Sequence, residues 1–137
     1  MAQFYLLSVA TLLFGGLLAA SEFLGERFSA FAPLAELAER RKFALTVGAI
    51  TAIVGILKLF VRAPFDTVPV AGDLLPAIAG IATGSVLLLA NTRRRESVGE
   101  ELPPSQASAI VEYRSPIGLA GAIVGLLHFI FPGTVIF

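Results

Sequence analysis

The chain has 137 residues, of which 56% are hydrophobic and 15% charged, with a mean hydropathy of +0.85; soluble domains carry about 25% charged residues. That is too little polar surface for a water-soluble domain of this size, and long apolar stretches point to the lipid bilayer. Ten basic and ten acidic residues cancel, leaving no net field to attract nucleic acid, and the absence of cysteine excludes disulfides and thiolate metal sites within the chain.

The first apolar run is "FYLLSVATLLFGGLLAA", Phe4 to Ala20. The preceding "MAQ" has no positive side chain, so the run reads as a retained span over about residues 4–24 and not as a signal peptide. Glu22 follows it in "AASEFLGERF". It is the candidate intramembrane carboxylate, although its depth favours the headgroup layer over the hydrocarbon. The next segment, residues 29–42, contains a helix start at Ser29 to Pro33. Glu36 then stands four residues before Arg40, a supportive helical pair.

The second run, Phe43 to Val61, ends in "IVGILKLFVRAP". Gly48, Ala52 and Gly55 fall within an arc of about 60° on a helix and form a narrow groove of small residues. Such grooves let helices approach closely in lipid. Lys58 flanks the groove near the end of the span. Beyond it, "RAPFDTVPVAGD" supplies Arg62, Asp66 and Asp73.

The third run, about residues 74–91, carries Gly80 and Gly84 at helical spacing. Arg93, Arg94 and Arg95 follow, and a polar connection leads to Arg114. Ser115 and Pro116 read as N-cap and first residue of the fourth span, about residues 116–132. Gly118, Gly121, Ala122 and Gly125 give that span its own groove, and "IVGLLHFIFPG" places His128 after it.

Sliding the chain by seventy residues superimposes Gly48, Ala52, Gly55 and Leu57 on Gly118, Ala122, Gly125 and Leu127, and Lys58 on His128. A slide of 68 superimposes Leu6 and Leu7 on Leu74 and Leu75, and Gly16 on Gly84. The chain is therefore expected to be an all-α membrane protein of four transmembrane helices built as two duplicated helical hairpins, residues 1–64 and 65–137. Copies with two spans each share one topology, the parallel-repeat case with a pseudo-two-fold axis along the membrane normal. Spans two and four are expected to pack on each other at that axis.

Basic residues set the orientation. Arg40, Arg41 and Lys42 before span two, and Arg93, Arg94 and Arg95 after span three, read as topology and headgroup signals. The positive-inside rule puts both connections in the cytoplasm and both termini outside, in a multi-pass cell-membrane protein of prokaryotic inner-membrane type. Lys58, His128, Arg62, Asp66 and Asp73, with the Phe137 carboxylate, then lie on the outer side as a candidate polar vestibule. A histidine there can titrate near physiological pH.

No Ser–His–Asp context, metal-ligand spacing or phosphate loop is present: "GIATGS" lacks the P-loop lysine. The expected function is that of a non-catalytic integral membrane protein, an assembly or interaction component. Its partners are the bilayer and a second copy or other membrane subunits, and no cofactor is required. The other expectation is a small transporter or channel centred on Lys58 and His128.

Overall fold

A computed structural model describes residues 2–60, 74–96 and 104–131. Its elements, in order, are α1 (Ala2–Ala19), α2 (Ser21–Arg27), a 3₁₀ turn (Ser29–Phe31), α3 (Ala32–Glu39), α4 (Arg41–Phe60), α5 (Leu74–Glu96) and α6 (Pro104–Ile130). Among the described residues there is no strand. Three stretches are long and apolar enough to cross a membrane: Arg41–Phe60, Leu74–Thr92 and Glu112–Ile130. The first apolar run reaches that length only when Gln3–Ala19 is joined to Ser21–Arg27, from which it is bent by 64°.

The bend replaces the straight helix expected to residue 24. Ala20 leaves helical geometry at φ −87°, ψ 3°, so the last carbonyls of α1 lose their intrahelical donors. From there α2, the 3₁₀ turn and α3 fold back under the bundle. Pro33 stands in the first turn of α3, where its missing N–H costs nothing. Leu34, Leu37 and Ala38 of α3 pack on Leu18, Ala19, Ala44 and Leu87, so the short helices close one end of the bundle. Lys58 and His128 mark the opposite end.

A second difference concerns α6. It runs unbroken for 27 residues through Pro116, instead of starting there. Proline removes one helical hydrogen bond, but Pro116 is exposed and the helix continues past it. Continuation puts Arg114 on the inward side, where it is 6% exposed.

The long helices pair in an order other than the expected one. α4 packs most closely on α5, and α1 on α6; α5 also touches α6, and α1 touches α4 and α5. Among the described residues no Cα of α4 comes within 8 Å of one in α6. The grooves of spans two and four therefore do not meet. Each takes a glycine from the helix beside it, because a backbone needs another bare backbone to approach closely. A Cβ at Gly84 would lie 2.5 Å from the Ala52 nitrogen and 2.7 Å from the Gly48 carbonyl oxygen. A Cβ at Gly16 would lie 2.5 Å from the Ala122 nitrogen and 2.6 Å from the Gly118 carbonyl oxygen. The obstacles are main-chain atoms, which cannot rotate away.

A smaller exchange fills the middle of the bundle. Gly15 of α1 receives the Thr51 side chain of α4, and Gly121 of α6 receives the Thr83 side chain of α5. In each contact one partner is bare and the other carries the volume.

Gly16→Ala or Gly84→Ala should each lower stability by about 2 kcal/mol or more, since neither helix can recede without losing packing along its length. Gly25→Ala, whose Cβ would find its nearest neighbour at 3.5 Å, should be neutral or slightly stabilising. Thermal unfolding of the three variants in detergent, followed by circular dichroism, checks the ranking.

Candidate functional site

α4 and α6 run in the same direction and end together. Lys58 lies two residues before the end of α4, and His128 two residues before the end of α6. The negative ends of two helix dipoles therefore converge where the sequence places its cationic side chains. Lys58 is 5% exposed and His128 3%. Lys58 Nζ stands 2.9 Å from His128 Nε2. One hydrogen lies between two nitrogens in such a contact, so one donates and the other accepts. Snorkelling of the lysine to bulk water, the ordinary behaviour near an interface, is not what the geometry shows.

Tyr5 of α1 completes the group. Its hydroxyl donates to the His128 carbonyl oxygen at 2.5 Å, and its ring centre lies 5.1 Å from that of the imidazole. Sequence reading passed over Tyr5. The available signal was polar spacing, for Tyr5, Ser8 and Thr11 follow at intervals of three on one helix face.

A narrow cavity continues from the pair between α1, α4 and α5, past Ser8, Thr11, Thr51, Gly55 and Gly80. It has room for about one water molecule. The Ser8 hydroxyl donates to the Tyr5 carbonyl at 2.7 Å, Thr11 to the Ser8 carbonyl at 3.1 Å and Thr51 to the Val47 carbonyl at 2.8 Å. Their protons being committed, these side chains offer an occupant only oxygen lone pairs. A hydrogen-bond donor such as water fits that lining. Further along, Leu18 and Leu87 are wholly buried, and the interior becomes apolar. Among the described residues no cluster of metal-ligating side chains occurs.

The other end of the bundle holds a separate polar cluster. Arg114 Nη1 is 3.2 Å from Glu22 Oε1, and Arg114 Nη2 is 3.5 Å from the Leu18 carbonyl oxygen. The guanidinium thus takes up a carbonyl released where α1 stops, and Glu22 occupies the first turn of α2. A cation at one helix C-terminus and an anion at the next N-terminus are the stabilising arrangement for both dipoles. Glu22, 46% exposed at its side chain, is a paired carboxylate at the bend and not one embedded among apolar side chains. Nearby, Arg41 Nε donates to the Asn91 carbonyl oxygen at 3.2 Å, and Asn91 Nδ2 to the Leu87 carbonyl at 2.8 Å.

The vestibule is thus brought together in part. Lys58 and His128 meet, whereas Arg62, Asp66 and Asp73 lie outside the described residues, as does the Phe137 carboxylate. The expected packing residues Gly48, Gly55, Gly80, Gly84, Gly118, Gly121 and Gly125 all meet neighbouring helices of the same chain, as do Ala52 and Ala122 at the glycines they face. Arg40 and Lys42 are exposed. Arg93, Arg94 and Arg95 fall in the last turns of α5.

A protein-family profile matches residues 1–128, a range that includes both Lys58 and His128. The chain belongs to that family. An uncharacterized protein of Treponema pallidum (strain Nichols) is 32% identical over 92 residues, which cover 67% of each chain. No solved structure matches.

Replacing both members of the buried pair should cost less than the two single replacements added together. Lys58→Met and His128→Leu should each destabilise by about 1–3 kcal/mol, because each removes the buried 2.9 Å nitrogen–nitrogen contact. The double variant should cost less than the sum, with a coupling of about 1 kcal/mol or more in a double-mutant cycle of unfolding in detergent. Strict additivity would show that the 2.9 Å contact carries no energy.

Proposed function

We propose that the protein is a four-span integral membrane protein and a small non-catalytic transporter or channel, with the Lys58–His128 pair as the centre that handles a proton or small ion. The observation that carries this reading is the burial of the Lys58 and His128 side chains against each other at the mouth of a hydroxyl-lined cavity. Ionisable groups inside the bilayer are costly and mark ion pathways or proton relays. A bundle needing only packing at this point would be served by two leucines.

The fourth span in this reading is α1 carried through its bend into α2. The origin of the fold is a duplication of one helical hairpin. Support comes from contacts that recur under the offsets of 68 and 70. Gly84 against Ala52 and Gly48 corresponds to Gly16 against Ala122 and Gly118. Gly15 against Thr51 corresponds to Thr83 against Gly121, with the roles of glycine and threonine exchanged. Lys58 and His128 are themselves equivalent, and equivalent groups can touch only beside the axis that relates them. That axis passes where α1 and α5 touch and where the side chains of α4 and α6 reach across. It coincides with the position at which duplicated transporters hold their substrate, the interface between repeats.

The second reading is an oligomeric assembly or interaction component. In its favour, the cavity admits about one water molecule and Leu18 and Leu87 are wholly buried, so the pair would serve as a fixed clasp. Against it, the small-residue grooves that would have offered an oligomer face are filled within the chain. In either case the positive-inside bias assigns the end with Arg40, Arg41, Lys42 and residues 93–95 to the cytoplasm, and the end with Lys58 and His128, with both termini, to the outside.

Flux through reconstituted vesicles separates the two. Wild type should pass protons or a small ion with a pH-dependent rate. His128→Ala and Lys58→Ala should each lower the flux about tenfold or more and flatten its pH profile, as expected on loss of a relay group. Wild-type vesicles no leakier than empty ones, across common ions and pH, would leave the assembly reading in place.

A further inference from the structure

The helices α4 and α6 end near each other without backbone contact: among the described residues no Cα of one comes within 8 Å of a Cα of the other. The Lys58–His128 contact bridges that gap. A nitrogen–nitrogen distance of 2.9 Å leaves room for one hydrogen between the two atoms, so one nitrogen has to present a lone pair. An ammonium has no lone pair, and an imidazolium carries a hydrogen on both nitrogens. The contact therefore exists only while at most one of the two side chains is charged.

A second proton reverses the interaction. Two hydrogens then point at each other across the same gap, between like charges on buried side chains, where water screens them little. The lysine is not confined to that arrangement. Its flexible stem starts two residues before the end of α4, so the charge can swing outward. Each cation then stays beside the carbonyl end of its own helix, where a positive charge is favoured. From α1, Tyr5 faces the pair, and its hydroxyl donates to the His128 carbonyl oxygen. Along the cavity α1 adds Ser8 and Thr11, and α5 brings Pro76 and Gly80, which do not titrate. Arg62, Asp66 and Asp73 lie outside the described residues.

We infer that Lys58 and His128 form a proton-binding clasp that acid releases: uptake of a second proton breaks the nitrogen–nitrogen contact, frees the ends of α4 and α6 from each other and uncovers the cavity behind the pair. The proton comes from bulk water and adds to the lone pair that accepted the hydrogen bond, so one N–H bond forms and one hydrogen bond is lost. Imidazole is the side chain suited to this, since its charge ordinarily changes between about pH 5 and 8. The stabilisation is present while a lone pair remains and is lost as pH falls through the range in which the second proton binds. The clasp is independent of the choice between transport and assembly, because it concerns how one end of the bundle is fastened.

The test uses the full chain in detergent between about pH 8 and about pH 4.5. His128 is the only histidine and the chain has no cysteine, so a nitrogen-15 histidine signal and a pair of engineered spin labels are both unambiguous. The labels go on Leu59→Cys and Phe129→Cys, whose side chains are about half exposed at the ends of α4 and α6. On acidification His128 should pass from imidazole to imidazolium by NMR, and the distance between the labels should lengthen with the same midpoint. The Tm coupling between Lys58→Met and His128→Leu, present at the upper pH, should vanish at the lower one. His128→Gln supplies an acceptor that does not titrate, and should hold the short label distance at every pH. Lys58→Met should show the long distance throughout; should that variant not fold, the coincidence of the two wild-type midpoints and the behaviour of His128→Gln decide. A His128 that stays neutral over the whole range would overturn the clasp, as would a label distance that does not move while His128 titrates. A pH-dependent distance that survives in His128→Gln would assign the movement to another group and overturn it equally.

Discussion

Close approach of bare backbone at Gly16 and Gly84 governs the arrangement of everything else. Where all the helices present apolar faces, close packing and interhelical hydrogen bonds decide which of them pair. Here the glycine of one helix sits on the nitrogen and carbonyl oxygen of the next, at α5 on α4 and at α1 on α6. Two tight pairs result, and the bundle is what those pairs form when α1 and α5 come together. The helices left farthest apart, α4 and α6, communicate only through long side chains. That separation leaves space at their ends for a lysine and a histidine to meet, where leucines would otherwise have to fill the interior.

The polar interior is graded along the bundle. At one end Lys58, His128 and three hydroxyls line a cavity of water size, with Tyr5 bonded to His128 beside it. In the middle, Thr51 and Thr83 fill the hollows of Gly15 and Gly121. At the other end, Leu18 and Leu87 interrupt the polar line before Arg114, Glu22, Arg41 and Asn91 resume it. The apolar interruption stands where α3 folds underneath, so the same segment that seals the bundle also supplies the bend at Ala20. That bend releases the Leu18 carbonyl which Arg114 takes up. Breaking of the first helix and burial of Arg114 are one event, because a free carbonyl and an unaccompanied guanidinium would each be costly alone.

Much of the helical content and the small-residue grooves could be read from periodicity. Those features are local: a groove at i, i+4, i+7 exists on any helix that contains it. The bend after Ala19 could not be read in the same way, since Gly16 through Phe23 is apolar and helix-compatible apart from Ser21 and Glu22. Only the fold of α3 beneath it makes a break favourable. The unbroken α6 was hidden for a similar reason. Ser115 and Pro116 are good helix-start residues by local preference, and the opposing term is the distant contact of Arg114 with Glu22.

By itself the sequence determined the chemistry available: long apolar runs, glycines at fixed spacing, a lysine and a histidine seventy residues apart, and basic runs beside the apolar ones. Composition and helical period suffice for these, because they are properties of single helices. Tertiary structure decided the partners. It set the groove of α4 against α5 and the groove of α6 against α1, and not the two grooves against each other, since complementarity of surface outweighs likeness of sequence. It also brought Lys58 to His128 and Arg40–Lys42 to the end of α5, distances that depend on which helices touch and that no spacing within one helix encodes.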